Sequence, residues 1–243
     1  MTETELERIR SAYRARDAES GTPYRWDNPG YVAYMQSVER AVLRALADAG
    51  FPLEGARVLD VGCGGGYFLH RLQEYGAGEC HGVDLMEGRI AAGRARYPTL
   101  ELRVGTATEL PYADAEFDLV TQFTCLSSIL DADVRLAAAR EMRRVCGRGW
   151  VLSFDMRGLW LHRLARRRPS ACDSTQTVAL DQRELGRLFG EPTLLRAETL
   201  TFGLLELTGR HPLIGMALGT LPFLRSHLVG LWSARKSQRG RAG

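Results

Sequence analysis

Short apolar runs alternate with longer amphipathic stretches through most of the chain. Runs that are apolar on both faces predict buried strands of a parallel sheet, and apolar residues three and four apart predict helices that cover it. We predict strands at about 57–61, 80–84, 100–104, 119–123, 150–155, 193–202 and 227–234. We predict helices between them at about 67–75, 87–96, 132–145 and 181–189. This order predicts the α/β fold class, with a doubly wound sheet between two layers of helices.

Two stretches, one at the N-terminus and one after strand five, depart from this alternation. Residues 1–20 are charged and helix-prone, a loop covers 21–30, and a second helix is predicted from about Tyr31 to Ala49. The pattern breaks again at about 156–180, an insert after strand five that is placed to cap a substrate, because ligands of open α/β sheets bind outside the carboxyl ends of the strands. We therefore divide the chain into a helical N-terminal segment at 1–50, a main domain at 51–236 and a frayed tail at 237–243.

Composition narrows the class of protein further. A chain of 243 residues that is 45% hydrophobic and 25% charged is typical of globular proteins, and a net charge of +3 is too small to indicate nucleic-acid binding. Five scattered cysteines without a C-x-x-C pair indicate reduced thiols, and the polar, acidic start does not have the pattern of a signal peptide. No apolar run approaches the roughly 18 residues of a membrane helix. We therefore expect a cytoplasmic protein without a membrane span.

A glycine-rich turn follows the first predicted strand. Asp60, Gly62, Gly64 and Gly66 form the pattern D-x-G-x-G-x-G, and glycine lets the backbone turn tightly and lie against a ligand. A dinucleotide fingerprint in this register would need a third glycine at position 67, which is Tyr67. The turn therefore indicates a ligand site of another kind, and a glycine turn without a ligand is the alternative.

An acidic residue stands near the end of the second predicted strand. Asp84 is where a doubly wound nucleotide site places an acid that accepts hydrogen bonds from ribose hydroxyls. The alternative is an aspartate that caps the next helix. Because the glycine turn precedes it at the expected separation, we favour the ribose role.

The D-x-G-x-G-x-G turn resembles the first motif of the class I S-adenosylmethionine (SAM) methyltransferases. The resemblance covers about residues 55–155 well, and it implies that the turn lies against the amino-acid and ribose parts of SAM. Residues 105–112 resemble the segment G-D-A-x-x-L-P-F, which borders the adenine in that family. Thr106 stands where an aspartate accepts a hydrogen bond from the adenine amino group, so we predict a retained but weaker contact.

The resemblance has further implications for the fold and the cofactor. It implies a Rossmann-like seven-stranded sheet, mostly parallel, with an antiparallel last strand inside the sheet and a helical N-terminal lid. An apolar piece at 212–224 would be a helical insertion between the last two strands. The residues expected at SAM are Asp60, Gly62, Cys63, Gly64, Gly66, Asp84, Leu85, Thr106, Ala107, Thr108, Gln122 and Phe123.

Candidate residues for binding the methyl acceptor, the substrate, lie in the N-terminal segment, in the loop after strand four and in the insert. They are Tyr13, Tyr24, Trp26, Tyr31, Thr124, Ser127, Arg157 and Trp160. For each aromatic residue the alternative is packing against the sheet. An O-nucleophile of high pKa also needs a proton acceptor, and His162 is the first candidate, with His211 and His227 behind it. The arginines at 163–168 form either a solvated face or an anchor for an anionic substrate.

The resemblance implies methyl transfer from SAM, and we expect a small-molecule acceptor. We expect the reaction to be metal-independent, because no H-x-x-H pattern or cluster of acids indicates a metal site. O-methylation in bacterial natural-product biosynthesis, such as antibiotic biosynthesis, is our first expectation. The alternatives are N- or C-methylation, an RNA or protein methyltransferase, and a non-catalytic SAM-binding protein. An N-P-P-Y tetrad after strand four would favour the RNA or protein class, but residues 122–125 read Q-F-T-C. The expected partner is the small-molecule substrate, and a homodimer is the assembly to test.

Overall fold

A computed structural model describes residues 3–18, 25–157, 177–200, 218, 221 and 224–233 of the chain. The helices are α1 Glu3–Ala18, α2 Pro29–Asp48, α3 Tyr67–Glu74, α4 Glu87–Arg96, α5 Ala132–Cys146 and α6 Gln182–Phe189. The strands are β1 Val58–Val61, β2 Cys80–Asp84, β3 Glu101–Val104, β4 Leu119–Phe123, β5 Trp150–Met156, β6 Leu194–Leu200 and β7 Arg225–Ser233. A short 3₁₀ helix, Leu126–Ser128, follows β4.

The seven strands form one sheet in the order β3-β2-β1-β4-β5-β7-β6. The pairs from β3 through β5 are parallel, and β7 runs antiparallel between β5 and β6. The predicted Rossmann-like sheet with an antiparallel last strand inside it is therefore confirmed. The carboxyl ends of β1, β2, β4 and β5 meet at one edge, where open α/β sheets hold their ligands.

Burial of the strands follows from their position in the sheet. All residues of β1 and β2 are buried, because helices cover both faces of the sheet there. In the edge strand β3, only Leu102 is buried. One face of the sheet packs against α5, and the opposite face packs against α2, whose Val38, Val42 and Leu46 are buried. The two layers hold the carboxyl edge of the sheet in place.

Helix and strand ends differ slightly from the predicted ones. Helix α2 begins at Pro29 and not at about Tyr31, because Asn28 caps it by accepting a hydrogen bond from the Gly30 N–H at 2.9 Å, and proline is favoured in the first turn. The last strand begins at Arg225, two residues earlier than predicted, and ends at Ser233. Several predictions lie outside the described residues: Tyr24, Trp160, His162, His211, the arginines at 163–168, nearly all of 212–224 and the tail.

Candidate cofactor site

The glycine turn between β1 and α3 lies against the end of β2. The Gly62 N–H donates to the Val83 carbonyl at 2.7 Å. Gly62, Gly64 and Gly66 have φ of 77°, 55° and 82°, in the left-handed region that favours glycine. A Cβ added at Gly62 would lie 2.7 Å from both Cβ and Sγ of Cys125, so the turn packs directly on the loop after β4.

Asp84 ties this turn to the end of β2. One carboxylate oxygen accepts from the Gly64 N–H and the other from the Met86 N–H, each at 2.8 Å. Helix α4 begins at Glu87 with Met86 in the capping position, so the Asp84 carboxylate is not its N-cap. The carboxylate lies at the cavity and retains accepting lone pairs, as a ribose partner requires.

Asp60 is the second acid of the site and lies deeper. It is fully buried at the end of β1 and accepts one hydrogen bond from the Thr121 hydroxyl at 2.8 Å. Burial raises the pKa of the Asp60 carboxyl to about 8, against the Thr121 hydrogen bond, and the neighbouring Asp84 charge adds to the rise. The two acids of this site therefore have different roles. Asp84 accepts hydrogen bonds from two backbone N–H groups, whereas Asp60 is largely protonated at neutral pH.

A cavity of about 210 Å³ opens at this edge of the sheet. Of the predicted cofactor residues, those that line it are Gly62, Asp84, Leu85, Thr106, Ala107 and Phe123. Those that lie around it without lining it are Asp60, Cys63, Gly64, Gly66, Thr108 and Gln122. The Thr106 hydroxyl accepts from the Thr108 N–H at 3.1 Å and lies 2.8 Å from the Thr108 hydroxyl, so a local turn orients it.

Gln122 is turned away from the cavity. It is fully buried, its amide nitrogen donates to Ser153 Oγ and to Asp155 Oδ2 at 2.5 Å each, and its oxygen accepts from the Cys125 N–H at 2.9 Å. Ser127, predicted at the acceptor, is also fully buried and lies outside the cavity lining. Thr124, likewise predicted at the acceptor, does line the cavity.

Helix α1 covers the opposite side of the cavity. The Tyr13 hydroxyl lies 2.8 Å from Ser128 Oγ, and Arg8 donates to the Ser128 carbonyl at 2.7 Å. At the other end of the helix, Asp17 accepts two hydrogen bonds from Arg89 of α4. Helix α1 therefore bridges the loop after β4 and helix α4, and Tyr13 lines the cavity as a candidate contact.

The remaining lining residues were not singled out from the sequence, although 105, 125, 128 and 129 lie in the two segments predicted to border the site. They are Ile9, Arg16, Val83, Met86, Arg89, Gly105, Cys125, Ser128 and Ile129. Ile9 was recognisable only as part of an apolar helical face. Arg89 carried no motif, and its position over the Tyr13 ring, 4.7 Å from the centroid, depends on how α1 docks.

The other predicted acceptor residues lie further away. Trp26 is 47% exposed and packs at 4.8 Å from the Tyr67 ring and 5.2 Å from the Tyr31 ring. Trp26 and Tyr67 line a separate surface groove between α2 and α3. Tyr31 and Arg157 are also absent from the lining of the cofactor cavity. The structure thus does not bring these residues together with Tyr13 and Thr124 in one cavity.

An aromatic row leads from the cavity along the carboxyl edge. Phe123 stacks on Phe68 at 4.2 Å and lies 6.3 Å from Phe154, which stacks on His227 at 4.8 Å. His227 Nε2 lies 3.2 Å from the Tyr34 hydroxyl, and His227 Nδ1 lies 2.8 Å from Ser226 Oγ. Neither Tyr34 nor His227 lines the cofactor cavity itself.

No helix in the described ranges combines the length and apolar character needed to cross a membrane. Across those same residues, His, Cys, Asp and Glu side chains nowhere gather in threes as a metal ion would require.

The sequence profile of a methyltransferase domain matches residues 58–149. Ajmaline N-methyltransferase of Rauvolfia serpentina is 36% identical over 124 residues, which are 46% of this chain and 41% of that protein. A ubiquinone biosynthesis O-methyltransferase of Azorhizobium caulinodans is 37% identical over 95 residues, 37% of each chain. The matched part of the chain thus spans about two fifths of the length of each of these two relatives.

A solved structure has a similar fold. Magnesium protoporphyrin IX methyltransferase from Synechocystis, with bound S-adenosylhomocysteine (SAH), superimposes with a TM-score of 0.62 over 96% of this chain and 95% of that one, at 14% identity. The profile match makes residues 58–149 similar to a methyltransferase domain and, with the glycine turn, supports the class I SAM-dependent family, while the superposition shows the shared fold. The cofactor of that family is SAM.

Proposed function

We propose that this protein transfers a methyl group from SAM to a small-molecule acceptor, without a metal ion. The observation that carries the proposal is the pairing of the glycine turn with Asp84 at the edge of a cavity between β1, β2 and β4. SAM, the methyl donor, carries its own activated leaving group. The main task of the protein is therefore to bring nucleophile and methyl group close and in line, which can be worth about 7–11 kcal/mol.

The proposed SAM contacts follow the cavity. Asp84 accepts from the ribose hydroxyls, Leu85 and Ala107 cover the adenine, and Thr106 accepts from the adenine amino group. Gly62 and Gly64 let the backbone approach the amino-acid part of the cofactor. Asp60, Cys63, Gly66 and Thr108 shape this wall from behind, and α1 closes it through Tyr13.

We propose a ring-containing acceptor, methylated on oxygen, in bacterial natural-product biosynthesis. The Tyr13 and Phe123 side chains in the cavity lining support a planar acceptor, because rings stack favourably on rings. By their printed names, one of the relatives above is an N-methyltransferase and the other is an O-methyltransferase. Nitrogen or carbon methylation is the alternative, and neither an RNA or protein substrate nor a non-catalytic SAM-binding role is favoured by a specific observation.

His227 is the proposed proton acceptor for an oxygen nucleophile. For an acceptor hydroxyl that reaches Tyr34 beyond the cavity lining, the proton lost on methylation would pass to the Tyr34 oxygen while the Tyr34 proton passes to His227 Nε2. The imidazole then carries the charge, with Nδ1–H donating to Ser226 Oγ. His162, the first candidate from the sequence, lies outside the described residues.

Two assays test the proposed function. Isothermal titration with SAM and SAH measures cofactor binding, and SAH release over a panel of phenols, amines and carbon nucleophiles measures transfer. Binding together with SAH release on a phenol supports the proposal. Binding without release on any acceptor, RNA and peptides included, indicates a non-catalytic SAM-binding protein, and absence of binding refutes both.

A further inference from the structure

Three successive backbone N–H groups of the loop after β4 are held by two buried side chains. The Cys125 and Leu126 N–H groups donate to Gln122 Oε1 at 2.9 and 3.2 Å, and the Ser127 N–H donates to Asp155 Oδ1 at 3.2 Å. Gln122 and Asp155 are both fully buried and are joined by their own 2.5 Å hydrogen bond. One connected pair therefore anchors the whole loop.

The direction of every hydrogen bond in this pair is determined by the loop. Because the N–H groups can only donate, Gln122 must present its oxygen to them and its NH₂ group to Asp155. Both Asp155 oxygens therefore face donors. An ionised carboxylate fits this arrangement, whereas a protonated acid or an asparagine would set a donor against a donor.

The loop has a strained backbone conformation, and the anchoring hydrogen bonds hold the loop in it. Thr124 has φ of 57°, a left-handed conformation that is uncommon and costly for a β-branched residue. Its carbonyl accepts from the hydroxyls of Ser127 and Ser128 at 3.1 and 2.9 Å. Thr124, Cys125 and Ser128 all line the cofactor cavity, so the strained conformation shapes its wall.

We propose that Gln122 and Asp155 are positioning residues that hold the loop at 124–128 in the conformation that binds the cofactor. The inference rests on the proposed function for the identity of the ligand, while the anchoring of the loop can be measured without a ligand. Neither side chain lines the cavity, so they act through the loop and not by contact with SAM.

The charge of Asp155 provides a distinctive readout. Burial raises the pKa of the Asp155 carboxyl to about 6, against the hydrogen bonds from Ser127 and Gln122. The described titratable group that faces it from the loop is the Cys125 thiol, whose pKa is itself raised by burial. Gln122 of β4 and Ser127 are neutral, and none of the described ion pairs includes Asp155. The carboxyl thus titrates in an accessible range.

The test measures SAH affinity by isothermal titration in wild type, Asp155→Asn and Asp118→Asn. Asp118 is a matched control, because its carboxylate accepts from the Arg57 N–H at 2.9 Å at the opposite end of β4. At pH 7.5 we expect Asp155→Asn to weaken SAH binding at least tenfold and Asp118→Asn to change it less than twofold. Wild-type affinity should fall between pH 7.5 and 5 towards that of Asp155→Asn, whose own affinity stays flat.

Rescue and hydrogen exchange complete the test. Adding Thr124→Gly to Asp155→Asn should restore part of the affinity, because glycine adopts the left-handed conformation freely. Should Asp155→Asn fail to fold, Gln122→Met serves instead, with faster amide exchange expected at 125–127 and not in the glycine turn. Unchanged exchange there, or a folded Asp155→Asn that binds SAH within twofold of wild type, overturns the proposal. A wild-type protein that does not bind SAH refutes the proposed function, and the exchange comparison still decides the anchoring.

Discussion

Asp84 and Asp60 lie in one site, yet the same substitution to asparagine should weaken cofactor binding strongly at Asp84 and only slightly at Asp60. In Asp84→Asn, an amide replaces a carboxylate that accepts from both the Gly64 and Met86 N–H groups at 2.8 Å. An amide has only one accepting oxygen, so one of these N–H groups would face the NH₂ group of the new side chain. The glycine turn then loses its link to β2 or α4 loses its link to the end of the strand.

The magnitude follows from the kind of bond that is lost. Hydrogen bonds to charged groups contribute about 1.5–3 kcal/mol, and about 1.4 kcal/mol corresponds to a tenfold change in affinity. Asp84→Asn should therefore weaken SAH binding by roughly 10- to 100-fold before any loss at the ribose is added. Asp60→Asn should cost less than about threefold at pH 7, because a carboxyl with a pKa of about 8 is already roughly nine-tenths protonated there.

The assay is SAH titration on both variants at pH 7, with thermal unfolding to confirm that each is folded. Equal losses in the two variants would refute the distinction between a charged, turn-holding Asp84 and a neutral Asp60. A larger loss in Asp60→Asn than in Asp84→Asn would reverse the assignment of roles in this site.

Three further predictions follow from the same geometry. The pKa of Asp60 is higher in the folded protein than in the unfolded chain, so the native state binds the extra proton and wild-type stability falls as pH rises from about 4 to 8. The melting temperature of Asp60→Asn relative to wild type should therefore rise over that window. A constant difference between the two melting temperatures would contradict this. In denaturant unfolding, Gly62→Ala should destabilise the protein by about 1–3 kcal/mol more than Gly64→Ala. Both glycines have positive φ, but only at Gly62 would the added Cβ meet Cys125. Equal losses of stability in the two variants would count against that contact. With a phenolic acceptor, His227→Gln should lower kcat roughly 10²- to 10⁴-fold and leave SAH affinity unchanged, whereas an unchanged kcat would exclude His227 as the proton acceptor.

The parallel part of the sheet could be predicted from sequence patterns, because its strongest signals are local. The apolar runs at β1, β2 and β4 and the glycines between β1 and α3 each specify their own conformation, so the parallel core could be predicted residue by residue. The place of β7 inside the sheet came from the family resemblance, since no pattern in 225–233 specifies its neighbours.

The walls of the site depend on non-local contacts, which the sequence pattern does not specify. Strand alternation shows that Gln122 and Phe123 face opposite sides of β4 but not which side meets the cavity; Phe123 does, while Gln122 is turned to Asp155. Helix α1 is charged along most of its length, so its docking through Tyr13 and Asp17 could not be read from its weak apolar face.

Titration of the wild-type protein with SAH, followed by competition with SAM, tests the central claim most directly. The account predicts one SAH bound per chain at the cavity beside Asp84, displaced by SAM, with binding weakened in Asp84→Asn. Failure of the folded wild-type protein to bind either compound would contradict the claim that this cavity is the site of the methyl donor.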